Sequence, residues 1–307
     1  MKKFLACLLA MAMVLALAAC GGGNSGNGGN SGNSGDAGTT DGNNNADGAN
    51  SAGSAGGDEN QDDSSAGADS DTAYIKDKGT LIVGITDFEP MDYHGENSDE
   101  WIGFDADMAK AFAESLGVTV EFIEINWDNK VMELETKGID AVWNGMSLTD
   151  DVMALMSTSE PYCMNSQVVV LNADKADQYQ TTDNLSELSF AAENGSAGAE
   201  ALDKLGVSFV AVDTQAKALM EVASGSSDAC VIDLLMAGAM TGEGTSYPDL
   251  AMAVILNEDE SEEYGVGFRK GSDMADTFND FWKAAYADGT VMKTAGTYGI
   301  TKNIIEK

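Results

Sequence analysis

The chain has 307 residues, enough for one large or two ordinary domains, and carries 16 Lys and Arg against 51 Asp and Glu, a formal net charge of -35. Such a field repels phosphate backbones and argues against nucleic acid as a partner. His94 and Arg269 are the sole histidine and arginine, so a histidine metal site or a Ser-His-Asp triad would rest on one residue, and no Gly-rich phosphate loop ending in Lys-Ser/Thr is present.

Lys2 and Lys3 precede an apolar run from Phe4 to Ala19, short for a membrane span of about 20 residues and suited to a signal segment. The run ends in Leu17-Ala18-Ala19-Cys20. Small residues before a cysteine resemble a bacterial lipobox, so residues 1–20 are expected to be a lipoprotein signal peptide, with Cys20 diacylated as the mature N-terminus. Residues 21–73 are mostly Gly, Asn, Ser, Ala and Asp, with no aromatic residue and no Lys or Arg. That composition buries too little apolar surface to fold and predicts a disordered tether.

From Tyr74 onward the pattern becomes periodic. Thr80 to Ile85 is a buried strand. Phe104, Met108, Phe112 and Leu116 form the stripe of an amphipathic helix that Gly117 stops. Val118 to Ile125 alternates as a strand, Asn129 to Thr136 is helical, and Ile139 to Trp143 is a strand. Strands follow at Gln167 to Leu171, Ser189 to Ala192, Ser208 to Val212, Ala229 to Ile232, Leu250 to Ile255 and Tyr264 to Phe268. Helices fall at Ala197 to Leu205, Gln215 to Ala223, Leu234 to Met240, Asp273 to Tyr286 and near Val291. Alternating strands and helices predict α/β layers with mainly parallel sheets. Cys163 and Cys230 sit in apolar segments and read as buried small hydrophobes, with a disulfide left open.

In parallel α/β sheets ligands lie beyond the carboxyl ends of strands, here after Ile85, Trp143, Ala192 and Ile232. Phe88 follows the first and is either core or pocket wall. Asn144, Gly145, Ser147 and Thr149 follow the second, as a polar rim or a plain turn with a helix cap. Glu193-Asn194-Gly195-Ser196-Ala197 opens a helix whose N–H groups suit an anion, and Ser196 can also cap it. Asp233 follows the fourth strand, either as a cap or as a partner for a ligand ammonium.

Eight stretches stand in a set order: Leu-Ile-Val-Gly-Ile85, Gly103-Phe-Asp-Ala-Asp-Met-Ala-Lys110, Lys137-Gly-Ile-Asp-Ala-Val142, Glu160-Pro-Tyr162, Asn165-Ser-Gln-Val-Val-Val170, Asn194-Gly-Ser-Ala197, Asp228-Ala-Cys-Val-Ile-Asp233 and Tyr264-Gly-Val-Gly-Phe-Arg-Lys-Gly271. In order and spacing they resemble the extracellular solute-binding protein family 3, the substrate-binding lipoproteins of polar amino acid ABC transporters. The resemblance implies a two-lobed, periplasmic-binding-protein-like (type II) α/β fold with two hinge crossover strands. Lobe one would span 74–164 and 265–307, and lobe two 165–264. It also implies aromatic walls at Phe88 and Trp127, a polar rim at Asn144, Gly145 and Ser147, a carboxylate-binding helix start at Ser196 and Ala197, and an ammonium acceptor at Asp233.

The expected function is capture of a small polar ligand, an amino acid, by hinge closure, with delivery to ABC permease subunits. The protein would be a lipid-anchored monomer on the extracytoplasmic face, with no cofactor, metal or enzymatic activity. A sensory ligand-binding subunit, a binder of a cationic non-amino-acid ligand and, last, a cleft-carboxylate lyase are the other readings. One departure stands out. The family's carboxylate-gripping Arg aligns with Val152, beside Asp150 and Asp151, and Val cannot replace a guanidinium fork. Either backbone N–H groups around Gly145 to Ser147 and Gly195 to Ala197, with Ser147 and Ser196, hold the carboxylate, or the ligand is not a standard α-amino acid.

Overall fold

A computed structural model describes residues 70–95, 97–256 and 262–307. The expected signal segment, Cys20 and the tether up to residue 69 lie outside the described residues. Along the chain run α1 (Asp71–Lys78), β1 (Thr80–Ile85), β2 (Tyr93–His94), β3 (Trp101–Ile102), α2 (Phe104–Leu116), β4 (Thr119–Glu124), α3 (Lys130–Glu135), β5 (Ala141–Ser147), α4 (Asp150–Leu155), β6 (Ser157–Thr158), β7 (Cys163–Asn165) and β8 (Gln167–Asn172). There follow β9 (Phe190–Glu193), α5 (Ala197–Leu205), β10 (Phe209–Val212), α6 (Gln215–Ser224), β11 (Ala229–Asp233), α7 (Leu234–Met240), β12 (Leu250–Ile255), β13 (Glu262–Phe268), α8 (Met274–Ala287) and α9 (Thr290–Thr297).

Two sheets organise two lobes. The first runs β4-β1-β5-β13-β6, with β7 on β13; the second runs β10-β9-β11-β8-β12. The chain passes between them twice, at Ser166 between β7 and β8, and between β12 and β13. Both sheets are mixed rather than mainly parallel. β1 pairs parallel with β4 and β5, and β9 with β10 and β11. The strands on either side of the two passages, β7, β13, β8 and β12, pair antiparallel, because a chain that leaves one sheet and returns must run back along it. Asn165 and Glu262 to Tyr264, expected in the second lobe, pair with one another's strands in the first sheet.

Sequence patterning accounts for the cores. Phe104, Met108 and Phe112 of α2 are buried on one face, and Gly117 ends the helix in the left-handed region, where glycine avoids a Cβ clash. Trp143, Phe278 and Trp282 pack behind the first sheet, the Trp143 and Phe278 rings 4.9 Å apart and edge to face, a favoured aromatic geometry. Val169, Leu171, Phe190 and Leu202 fill the second lobe.

The tether expectation overshoots at its end. Ser70 caps α1 by accepting from the Ala73 N–H, and the Thr72 N–H donates to Asp273 Oδ1 at 3.0 Å, so residues 71–73 belong to a helix. Tertiary partners outweigh the local composition there. Arg269 fastens the same helix: it is buried, its Nε donates to Asp71 at 3.0 Å and its Nη1 to the Ile139 carbonyl at 2.9 Å. Cys163 and Cys230 are buried free thiols on different sheets.

Candidate functional site

A cavity of about 430 Å³ opens between the lobes. The first lobe contributes Trp127, Lys130, the end of β5 and the start of α4; the second contributes the ends of β9 and β11 and the starts of α5 and α6. Of the expected site residues, Trp127, Asn144, Gly145, Ser147, Ser196, Ala197 and Asp233 line it. Phe88 does not. It is 1 % exposed and packs edge to face on Tyr264, against the backbone of Gly145. A Cβ on Gly145 would lie 2.6 Å from the Phe88 ring, so this aromatic supports the wall from behind.

The first lobe's wall is strand rather than loop. β5 continues through Asn144 to Ser147 because β13 pairs with it there, Tyr264 opposite Ser147 and Gly265 opposite Met146. Its polar groups are turned largely inward. Asn144 Oδ1 accepts from the Thr86 N–H and hydroxyl at 3.1 and 2.8 Å, and its Nδ2 donates to the Thr86 carbonyl and Asp92. The Gly145 N–H donates to Asp105 Oδ2 at 2.7 Å. The Ser147 hydroxyl donates to Glu262 at 2.7 Å. Burial pushes Asp105 up to about 7, although hydrogen bonds from Tyr162 and Gly145 act the other way. Burial, with Asp105 alongside, raises Asp92 well above the usual carboxylate range. The expected anion donors at Gly145 and Ser147 are thus engaged within the protein.

In the second lobe, Asp233 ends β11 and is 4 % exposed. It does not cap α7 with its side chain. Instead its Oδ1 accepts from Asn165, from Gln167 at 2.9 Å and from the Tyr264 hydroxyl at 2.8 Å, while Oδ2 accepts from Gln215. Burial, then the Glu262 carboxylate, lift its carboxyl to about 7, with the Tyr264 and amide hydrogen bonds opposing. Glu193, which ends β9, lines the cavity at 2 % exposure. Burial and then Asp233 raise its carboxyl well above the usual range, against Lys130 and Thr86. Ser196 caps α5 by accepting from the Ala199 N–H at 3.1 Å, which leaves its own hydroxyl proton to donate.

Lys130, 8 % exposed, is the cavity's sole basic residue, facing Asp128, Asp151, Glu193, Glu200, Asp203 and Asp233 among the lining residues. Its Nζ donates to the Trp127 carbonyl at 3.2 Å and, across the cleft, to the Gly195 carbonyl at 3.0 Å. An ammonium has three donors, so one stays available. Burial lowers its pKa, which Glu193 and Asp128 partly offset. Val152 lines the cavity as an apolar side chain. Sequence reasoning missed Lys130, Glu193 and Gln215. Lys130 lies one helical turn after Trp127, so it shares that face. Glu193 is the last residue of a strand at its carboxyl end, the location that the α/β rule selects. Among the described residues no acidic, His or Cys cluster is arranged to hold a metal ion, and no helix is long and apolar enough to cross a membrane.

Known proteins share this architecture. The L-cystine-binding protein TcyA of Bacillus subtilis is 27% identical over 295 residues, covering 95% of this chain and 96% of its own. The P235GK mutant of ArgBP from T. maritima superposes with a TM-score of 0.68 at 29% identity, over 74% of this chain and 98% of its own. The ancestral amino acid-binding protein AncCDT-1, a precursor of cyclohexadienyl dehydratase, gives 0.66 at 28% identity over the same shares, 74% and 98%. Residues 81–300 match a family of bacterial extracellular solute-binding proteins. With two sheets, a cleft between them and that match over most of its length, the chain belongs to the bacterial extracellular solute-binding proteins, family 3.

Proposed function

We propose that this protein is the substrate-binding lipoprotein of an ABC importer, and that it captures an amino acid by closing its two lobes. The observation that carries this reading is a cavity walled by both lobes, in which Lys130 of one donates to Gly195 of the other. A ligand that touches both walls favours the closed arrangement by its differential contacts. Asp233 Oδ2 has one donor from the protein, Gln215, and a carboxylate oxygen has room for about two. It would receive the α-ammonium. The remaining Lys130 N–H, the Ser196 hydroxyl and the Ala197 and Gly198 N–H groups that open α5, which have no intrahelical acceptor, would receive the α-carboxylate in place of the family Arg. TcyA, named for cystine, and AncCDT-1, named for amino acids, support this ligand class.

The test is mass spectrometry of whatever co-purifies, then a thermal-shift panel of amino acids. A ligand at 100 times its Kd should stabilise by about 2.7 kcal/mol, and it should be recovered unchanged. Conversion during incubation would replace binding by turnover as the function, and no shift across the panel would remove amino acids as the ligand. Delivery to permease subunits and anchoring through Cys20 complete the proposal. Cys20→Ser should release the protein from membranes with affinity unaltered; retention in detergent-free membrane fractions would refute the anchor.

A further inference from the structure

Glu193 is the one cavity-lining acid with a buried carboxylate oxygen left unsatisfied. Its Oε1 has no hydrogen-bond partner among the described residues, although the residue is 2 % exposed and lines the cavity. Asp233, by contrast, holds four donors from Asn165, Gln167, Gln215 and Tyr264. A buried acceptor without a donor is costly, and it is tolerated where a ligand supplies the donor. β9 and β11 are adjacent parallel strands whose register, Cys230 beside Ala191, sets Glu193 level with Ile232, one residue before Asp233, and both acids line the same cavity. Lys130 is the only lining cation, and two of its three donors are already taken by backbone carbonyls.

We propose that Glu193 receives a protonated side-chain nitrogen of the ligand, and that the site therefore selects basic ligands over neutral ones. The electrostatics agree: burial and the neighbouring Asp233 disfavour the ionised form of Glu193, and a protonated ligand nitrogen beside Oε1 would supply the opposite charge that favours it. The apolar Val152, where the family carries a cation, leaves the field of these acids unopposed on that side. This inference rests on the amino-acid reading for the role of Asp233, yet it fails separately from it.

The experiment is calorimetry of wild type and Glu193→Gln with L-lysine, L-arginine, L-glutamine, L-norleucine and 1,5-diaminopentane. Wild type should bind lysine or arginine at least about 30-fold more tightly than norleucine and glutamine, as expected for a buried charge pair. Glu193→Gln should lose that preference, its affinity for lysine falling at least about 30-fold further than its affinity for norleucine. Glu193→Met, which keeps the volume and gives up both oxygens, is the second variant should the first not fold. Three results would overturn the proposal: wild type preferring neutral amino acids, an equal loss for lysine and glutamine in the variant, or affinity for lysine retained by Glu193→Gln. The last would mean that the carboxyl serves as a neutral donor. If wild type binds the diamine and no amino acid, and the variant loses it, the amino-acid reading falls and the role of Glu193 stands.

Discussion

Asp233→Asn separates the role of this residue in the hinge from its role toward a ligand. An asparagine oxygen can keep the three donors that now converge on Oδ1, from Asn165, Gln167 and Tyr264. Its nitrogen then faces Gln215 Nε2, donor against donor. Gln215 cannot turn its amide over without losing the bond from the Asp233 N–H to its own Oε1, 2.8 Å long. That loss is about 1.5–3 kcal/mol for a hydrogen bond to a charged group. Against it stands the relief of burial. A carboxyl raised from 3.8 to about 7 disfavours its ionised form by about 4 kcal/mol. The empty variant should therefore remain folded at pH 8, within about 2 kcal/mol of wild type.

The pH dependence of that difference has a definite sign. A carboxyl whose pKa is raised in the folded state contributes stability that is full below its unfolded value of 3.8 and lost as pH climbs through about 7. Asn lacks this loss, so urea melts at pH 5 and pH 8 should show the balance moving toward the variant. Ligand binding should move the other way: removing one partner of a buried charge pair costs about 2–5 kcal/mol, roughly 30- to several-thousand-fold in affinity. Calorimetry with the best ligand of the panel measures it. An affinity within about threefold of wild type, near 0.6 kcal/mol, would show that Asp233 only braces the hinge and that the ammonium sits elsewhere.

Lys130→Met should weaken amino acid binding by about tenfold or more, the worth of a charge-assisted hydrogen bond, while 1,5-diaminopentane, which has no carboxylate, should lose less; equal losses in titrations of the two would contradict the carboxylate role. Gly145→Ala should destabilise the protein by about 2–4 kcal/mol, because the backbone there has φ of 54° and a Cβ would meet the Phe88 ring at 2.6 Å and the Tyr264 ring at 3.0 Å. A chemical melt unchanged by this substitution would show that the wall behind the cavity is softer than these rings imply.

The elements with strong periodicity were legible in the sequence. The stripe of α2 and its glycine stop, the run of β1, and α5, α7 and β12 lie at or within a residue of where patterning places them. What escaped is set by tertiary pairing. Asn144 to Ser147 look like a polar loop, and only the antiparallel return of β13 makes them a strand. Asp71 to Ala73 look like tether until Asp273 and Arg269 supply partners. In the site, strand ends pointed to the cavity, but not to which side chains turn into it. Phe88 is packed behind Gly145, and the polar atoms of Asn144, Gly145 and Ser147 serve the lobe itself. Lys130 and Glu193 carry no motif; both are buried and line the cavity, a placement that no local pattern encodes.

The distance between the lobes tests the central claim most directly. Met132 in the first lobe and Val210 in the second are both exposed, and the native thiols at Cys163 and Cys230 are buried, so cysteines introduced at 132 and 210 accept a donor and acceptor dye pair. Single-molecule energy transfer should show a broad or longer distance distribution in the empty protein. It should collapse to one short distance as the amino acid that stabilises the protein is added, with a midpoint equal to the Kd from calorimetry. A ligand that binds with the same affinity and leaves the distribution unchanged would contradict capture by closure.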